Sequence, residues 1–421
     1  MDETLFGRHT KRGSVASTTT IHCLDHDLFC IIFSFLDLFD LVRCSAVCTF
    51  WNRIVCRSQL LHALFHRHST VSTPATSSDK CLTVHLEELA LERHRSFLLH
   101  GRIDVDQWKC HSVGISQCRM KMGSLLSGVG DKAVRIWSVE SYKCLEEYYV
   151  PDMVQLDDFD FDESKVVGLI GTRICIWRRH GKRSTFPSHE GTLPKGICMR
   201  YSDPEAFVGC EDGTAHVFDM YSRRCSRIIR MHASSLTCVA LSEDQLILSG
   251  SSLGGVSMTC LSDQRVATLK PSGSAGIKTL CLNRSSHLVF AGSTAGHVYC
   301  WDLRKMKMLW ETKASTNVIY TLQAMHNDKS TLAVGGIDGV LRLLKQDTGE
   351  IVSRCVMETE APARSTRKII NARRCGRRIS EDTQIDSIPR TLRPPITCLA
   401  VGMKKIVTTH NCKNIRVWKF S

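Results

Sequence analysis

Short runs of alternating hydrophobic and polar residues recur along most of the chain and close on one kind of phrase: KAVRIW, TRICIW, GTAHVF, GVSMTC, GHVYCW, GVLRLL and KNIRVW. Their last residues, Trp137, Trp177, Phe218, Cys260, Trp301, Leu344 and Trp418, lie 40, 41, 42, 41, 43 and 74 positions apart. Alternation at this length predicts half-buried strands. A repeat near 41 residues made of such strands predicts a β-propeller, because a four-stranded blade cannot bury its faces until neighbours stack on both sides. Seven phrases predict seven blades.

Before residue 112 the period changes. In DLFCIIFSFL, Asp27 to Leu36, the residues Leu28, Ile31, Ile32 and Phe35 share one helical face, and Leu41, Cys44, Val47, Cys48, Trp51 and Ile54 continue an apolar stripe at three-to-four spacing. Three short helices are expected between residues 24 and 66. Asp25 and Asp37 stand where they can cap the first two, and Asp40 puts negative charge at the positive end of the second. So small a unit cannot bury all of its crowded Phe, Leu, Ile and Val side chains, so part of this surface is expected to meet a partner or to pack on the propeller.

The boundaries follow: a disordered tail over 1–19, helices over 20–66, a linker and helix over 67–99, and the propeller over 100–421. STVSTPATSSDK, residues 69–80, has linker composition, and Leu82, Leu86 and Leu89 share a face in the helix expected over 81–99. The last phrase ends at Trp418, three residues before Ser421, so the seventh blade needs an outer strand from elsewhere. GRIDVDQW, Gly101 to Trp108, is expected to supply it and so remove an exposed edge.

At 421 residues, 43% hydrophobic and 23% charged, the chain reads as globular. No apolar run suggests a secretory signal or a membrane span, so a cytoplasmic or nuclear location is expected. The 21 cysteines are scattered singly, as at Cys118, Cys198, Cys238, Cys281 and Cys398, with no C-x-x-C pair; they read as small buried hydrophobes. His62, His66 and His68 lack a nearby carboxylate or cysteine to complete a metal site. No metal or cofactor is expected.

The run LDHDLFCIIFSFLDLFDLVRCSAVCTFWNRIVCRSQLLHAL, Leu24 to Leu64, closely resembles the F-box, in which a leucine, an ILSFL-like helix, a DL-x-RC-x-x-VC step and a tryptophan recur. Asp25 stands where that family has proline. The resemblance implies binding to a Skp-family adaptor, and through it to a cullin and a RING protein, in an SCF ubiquitin ligase. Carried over by position, the adaptor-facing residues are Leu24, Leu28, Ile32, Leu36, Leu41, Cys44, Val47, Cys48 and Trp51. Some of these must instead fill the unit's own core, and the sequence does not divide the two sets.

The repeats resemble the WD repeats. MHASSLTCVALSEDQLILSGS opens with His232, and LLSGVGDKAVRIW places Ser127, Asp131 and Trp137 at that family's serine, turn-aspartate and tryptophan positions. These residues satisfy buried polar groups and are structural. Where the turn aspartate or tryptophan is lost, Gly213, Gly255, Gly296 and Gly339 are expected to hold the turns. The fold class is therefore mainly β: a seven-bladed WD-repeat propeller preceded by a three-helix F-box and a linker helix.

The 74-residue step contains an insertion over about 358–394, whose core ARSTRKIINARRCGRR holds seven basic residues and no acid. WD-repeat topology implies that it lies on the face of the tight turns. It reads as a solvated loop, a nuclear-import signal, or a contact for an acidic or phosphorylated partner. RRIS, ending at Ser380, is a weak basophilic-kinase motif. Candidate substrate-binding residues are Lys195, Lys278 and Tyr320, where inner strands meet that face, with Arg373, Arg374, Arg377 and Arg378.

No P-loop, dinucleotide fingerprint, nucleophile elbow or metal-spaced histidine pair is present, so no catalytic residue is expected. The expected function is a non-catalytic substrate receptor that raises the effective concentration of a bound protein near the ligase. The alternative is a non-ligase propeller scaffold in a ribonucleoprotein, although the net charge of +13 is scattered, without interleaved aromatics, which argues against nucleic acid.

Overall fold

The structure, a computed structural model of the chain, describes residues 21, 24–36, 38–58, 60, 63, 91–115, 117–128, 132–150, 156–179, 183–186, 194–242, 246–260, 266–283, 285–325, 330–358, 372–402 and 405–421. The tail expected over 1–19, the linker expected over 67–80, residues 81–90 of the expected helix, Asp37, His62, His66, His68, Asp131 and insertion residues 359–371 lie outside them. The chain forms two compact units, residues 1–93 and 94–421.

In the first unit the expected helices are α1 (His26–Ser34), α2 (Leu38–Ser45) and α3 (Thr49–Arg57). Phe29 and Phe33 of α1, Leu41 of α2 and Ile54 and Val55 of α3 make a buried core. Trp51 packs edge-on against both phenylalanines, with centroids 5.8 and 5.5 Å away. Asp25 stands at the N-cap of α1 in extended conformation, but its side chain makes no capping bond. Cys48 caps α3 instead, its sulfur accepting from the Trp51 amide at 3.5 Å.

The second unit is a closed ring of seven antiparallel blades. Their inner strands are Gln117–Lys121, Asp158–Phe161, Gly196–Ser202, Leu236–Leu241, Ile277–Asn283, Ile319–Ala324 and Cys398–Val401. Each packs against the next, and the last against the first. In blade one the expected polar relay forms: Trp137 Nε1 donates to Ser127 Oγ at 2.9 Å, and His111 Nε2 lies 2.8 Å from the same oxygen. Blade six has Leu344 at the tryptophan position, buried in an apolar cluster with Phe290, Ile319 and Leu332, and it also holds a buried Arg342–Asp338 pair at 2.6 Å. Gly213 holds its turn at φ +88°; in blade four the left-handed residue is Gly254, at +91°, and not Gly255.

Ring closure occurs as expected. Ile103–Lys109 pairs antiparallel with Asn414–Phe420 as the outer strand of blade seven, with Val105 opposite Trp418 and both buried. The insertion differs from expectation. Ala372–Arg378 is a strand, paired on one side with Ile103–Lys109 and on the other with Ile351–Met357, the outer strand of blade six. It fuses blades six and seven into one nine-stranded sheet on the outer rim. Satisfying two open strand edges favours this over a solvated loop on the turn face.

The segment after this strand is also folded. Ile379, Ile385 and Leu392 pack on a small core of Val340, Val356 and Ile388, and the Arg393 guanidinium donates to the carbonyls of Ile388 and Asp338 at 2.8 and 3.2 Å. Gly376 permits the inserted strand's close approach: a Cβ there would stand 2.6 Å from Ile103 Cγ2 and 3.0 Å from the Trp418 ring. Gly376→Ala is therefore expected to cost about 1–3 kcal/mol through overpacking, read as a lower urea midpoint at unchanged slope.

Candidate functional site

Two surfaces carry the chemistry, one on each unit. On α1 the sequence lays two apolar faces around one helix. Phe29 and Phe33 point into the core, while Leu28, Ile31, Ile32 and Phe35, at the i, i+3, i+4, i+7 spacing, stand 47, 55, 43 and 83% exposed. Val47, after α2, is 64% exposed. Single exposed hydrophobes are ordinary, but a contiguous stripe on so small a unit is a candidate contact surface.

This divides the residues that resemblance assigned to the adaptor. Leu28, Ile32 and Val47 are available. Leu41 is fully buried, and Leu24, Leu36, Cys44 and Trp51 pack half-buried against the core. Cys48 is occupied as the cap of α3. The position-by-position transfer missed Ile31 and Phe35, although their helical spacing in the sequence already put them beside Leu28 and Ile32.

On the propeller, the starts of the inner strands surround a cavity of about 330 Å³ at the mouth of the central channel. Lys278 and Tyr320 line it, as expected, together with Gln117, Arg119, Asp158 and Arg200. Lys195 is exposed just before the blade-three inner strand but is not part of the lining. Three cations against one carboxylate leave a formal excess of two positive charges.

Asp158 cannot neutralise more than it does. Its oxygens accept from the Phe159 and Met199 amides at 2.8 and 2.9 Å and from Arg119 and Arg200 at 3.0 and 3.4 Å. Arg119 Nε and Gln117 Oε1 are buried at the mouth without hydrogen-bond partners. One layer deeper, Asp160 repeats the device. It accepts from the Tyr201 amide at 3.0 Å and pairs with Lys121 at 2.6 Å. The sequence carries this as polar residues alternating within inner strands, QCRMK, DFDF and GICMRYS, a signal that the repeat reading passed over.

The four arginines of the insertion are not at this mouth. All lie on the rim strand Ala372–Arg378. Arg377 is exposed there, and Arg374 is half-buried. Arg378 is structural, its guanidinium donating to the carbonyls of Leu98 at 2.8 Å, Phe97 at 3.2 Å and Gly101, at the end of a helical stretch. The strand's hydrogen-bonding direction, rather than its charge, decided where these residues lie.

Burial alone would raise the Asp160 carboxyl, but Lys121, Arg200 and Arg119 outweigh it and hold it below the ordinary 3.8. A carboxylate with a lowered folded pKa gives stability that is complete above its unfolded value and lost as pH falls through the folded one. Wild-type stability is thus expected to drop as pH falls below about 4. Asp160→Asn should lose part of this acid dependence, measured as urea midpoints at pH 7 and pH 3.

The F-box domain pattern matches residues 21–63. Across 96% of this chain and 95% of its own length, an F-box/WD-40 repeat-containing protein of Arabidopsis thaliana is 52% identical. Weaker likenesses extend to autophagy-related protein 16 of Arabidopsis thaliana, 20% identical over 60% of this chain and 50% of that protein, and to target of rapamycin complex subunit LST8 of Mus musculus, 24% identical over 38% of this chain and 52% of that protein.

Proposed function

Because the chain belongs to the F-box/WD-40 repeat proteins, we propose that it is the substrate-recognition subunit of an SCF-type ubiquitin ligase. The observation that carries this reading is the exposed stripe of Leu28, Ile31, Ile32 and Phe35 within the F-box. A Skp-family adaptor with a complementary apolar groove covers it, and the cullin and RING protein follow through that adaptor. Residues that face away from the core contribute binding energy without being needed for folding, which suits an interface that must assemble onto an already folded unit.

The propeller takes the protein to be ubiquitinated. Its mouth, lined by Arg119, Arg200 and Lys278 around a single carboxylate, suits an acidic segment. Catalysis of the transfer lies elsewhere in the ligase. This chain supplies proximity, holding substrate at high effective concentration near the charged ubiquitin carrier.

Affinity purification of the full chain tests both contacts. Ile32→Glu with Phe35→Glu should lower recovery of adaptor and cullin at least about tenfold, since each places a charge in an apolar interface, while leaving proteins held by the propeller in place. Lys278→Glu with Tyr320→Ala should do the converse in proteasome-inhibited cells: adaptor recovery unchanged, ubiquitinated partners lost. Retention of adaptor by the doubly charged stripe variant overturns the assignment.

A further inference from the structure

Most polar groups around the mouth of the channel are already engaged within the fold. Arg119 and Arg200 both donate to Asp158, at 3.0 and 3.4 Å. The Thr321 hydroxyl accepts from the Leu399 amide at 3.1 Å, and the Cys398 thiol donates to the Cys118 carbonyl at 3.3 Å across the seam where the ring closes. Lys278 is different. It is exposed in the lining, and among the described residues no hydrogen bond or ion pair holds its ammonium group. On the next blade the half-buried Tyr320 has a hydroxyl that is likewise unengaged.

Two apolar side chains flank this pair. The blade-four turn Ser252, Leu253 and Gly254 lies on the stretch leading into the blade-five inner strand: a Cβ on Gly254 would meet the Ala275 carbonyl oxygen at 2.8 Å, and one on Gly276 the Ser252 carbonyl oxygen at 2.5 Å. Lys278 follows directly after Ile277 in that strand. In blade six the Ile337 amide donates to the Val318 carbonyl at 3.0 Å, just before the strand that carries Tyr320. Between the two, the turn of blade five presents only the smaller Thr294 and Ala295, with the Thr294 amide donating to the Gly276 carbonyl at 2.8 Å. Leu253, Lys278, Tyr320 and Ile337 therefore form one arc over blades four to six.

The apolar members of the arc do little for the fold. Leu253 is 72% exposed and Ile337 37%. Leu253 precedes the left-handed Gly254, where blades three and six instead have Asp212 and Asp338, each accepting from an amide of its own turn at 3.0 and 3.1 Å. One exposed leucine would be ordinary. Two apolar side chains bracketing an unpaired ammonium and a phenol make a surface with alternating chemistry, and charge complementarity selects an acidic occupant. A phosphate dianion is best held by guanidinium forks, and both forks at this mouth already face Asp158. The ammonium and hydroxyl that remain suit a single carboxylate.

Resting on the reading of the propeller as the part that holds substrate, we propose that the mouth selects an unmodified Asp or Glu with an apolar residue on either side of it in the substrate chain. The carboxylate meets Lys278 and Tyr320, and the flanking apolar side chains cover Leu253 and Ile337. Specificity thus comes from turn residues outside the repeat pattern, added to a charge on the inner strand.

The test probes the purified full-length chain with short capped peptide pools whose central residue is Glu, Gln or phosphoserine and whose other positions are randomised. The Glu pool should bind at least about fivefold more strongly than the Gln pool, and the bound peptides should be enriched in Leu, Ile, Val or Phe on both sides of the Glu. In Lys278→Ala the Glu and Gln pools should bind alike. Leu253→Ser should lose the apolar preference on one side and Ile337→Ser on the other, with the preference for Glu kept in both. All three side chains are exposed, so these variants should keep the wild-type urea midpoint. Equal binding of the Glu and Gln pools by the wild-type chain, tighter binding of the phosphoserine pool, or selection of Glu without apolar neighbours would each overturn the proposal. The peptide pools need neither adaptor nor ubiquitin, so this failure is separable from loss of the ligase assignment, which is read from adaptor recovery.

Discussion

The propeller depends on one pairing between the two ends of its own sequence. Ile103–Lys109 lies against Asn414–Phe420 as the outer strand of the seventh blade, and without it the third strand would expose its amides, its carbonyls and the Trp418 face. The pairing is held at both levels. Val105 and Ile103 bury their side chains against Trp418 and Phe420, and Asp106 accepts from Lys419 at 2.6 Å and from the Tyr142 hydroxyl at 2.7 Å. Closing so long a loop has an entropic cost that grows only slowly with its length. Burial along a full strand can therefore offset it.

The inserted strand extends the same constraint. Outer strands of adjacent blades diverge at the rim, and Ala372–Arg378 fills the gap between blades six and seven by pairing with both. A segment with this much positive charge folds because its backbone finds two partners and because Gly376 lets it lie on Ile103. Arg378 adds a local reason, since its guanidinium occupies the carbonyls at the end of the helix before the closing strand.

At the other end of each inner strand, charge is placed by the opposite logic. Asp158 and Asp160 are almost fully buried. Each draws an amide from the neighbouring blade and a cation from the preceding one, so the two carboxylates knit three blades around the channel. A buried charge of this kind is tolerable only with its partners present. The same partners leave the mouth basic, so that a structural ion-pair network and a surface suited to acidic ligands are one set of residues.

Much of this was legible in the chain. The period of about 41, the change to helical spacing before residue 112, the missing outer strand and its replacement from Gly101 to Trp108 all follow from hydrophobic pattern, which backbone geometry reads locally. Lys278 and Tyr320 line the cavity because inner-strand register repeats from blade to blade. The exposed stripe of the first helix was half legible: helical spacing grouped Leu28, Ile31, Ile32 and Phe35, but only packing against Leu41, Ile54 and Val55 decided that Phe29 and Phe33 face inward. The arginines of the insertion were misplaced for a related reason. Local sequence reports charge, whereas a strand's location depends on unpaired edges presented by residues far away in the chain. The meeting of Cys118 with Cys398, and of Arg119 with Asp158, belongs to this second kind: it exists only once a linear repeat has been bent into a ring and its two ends brought together.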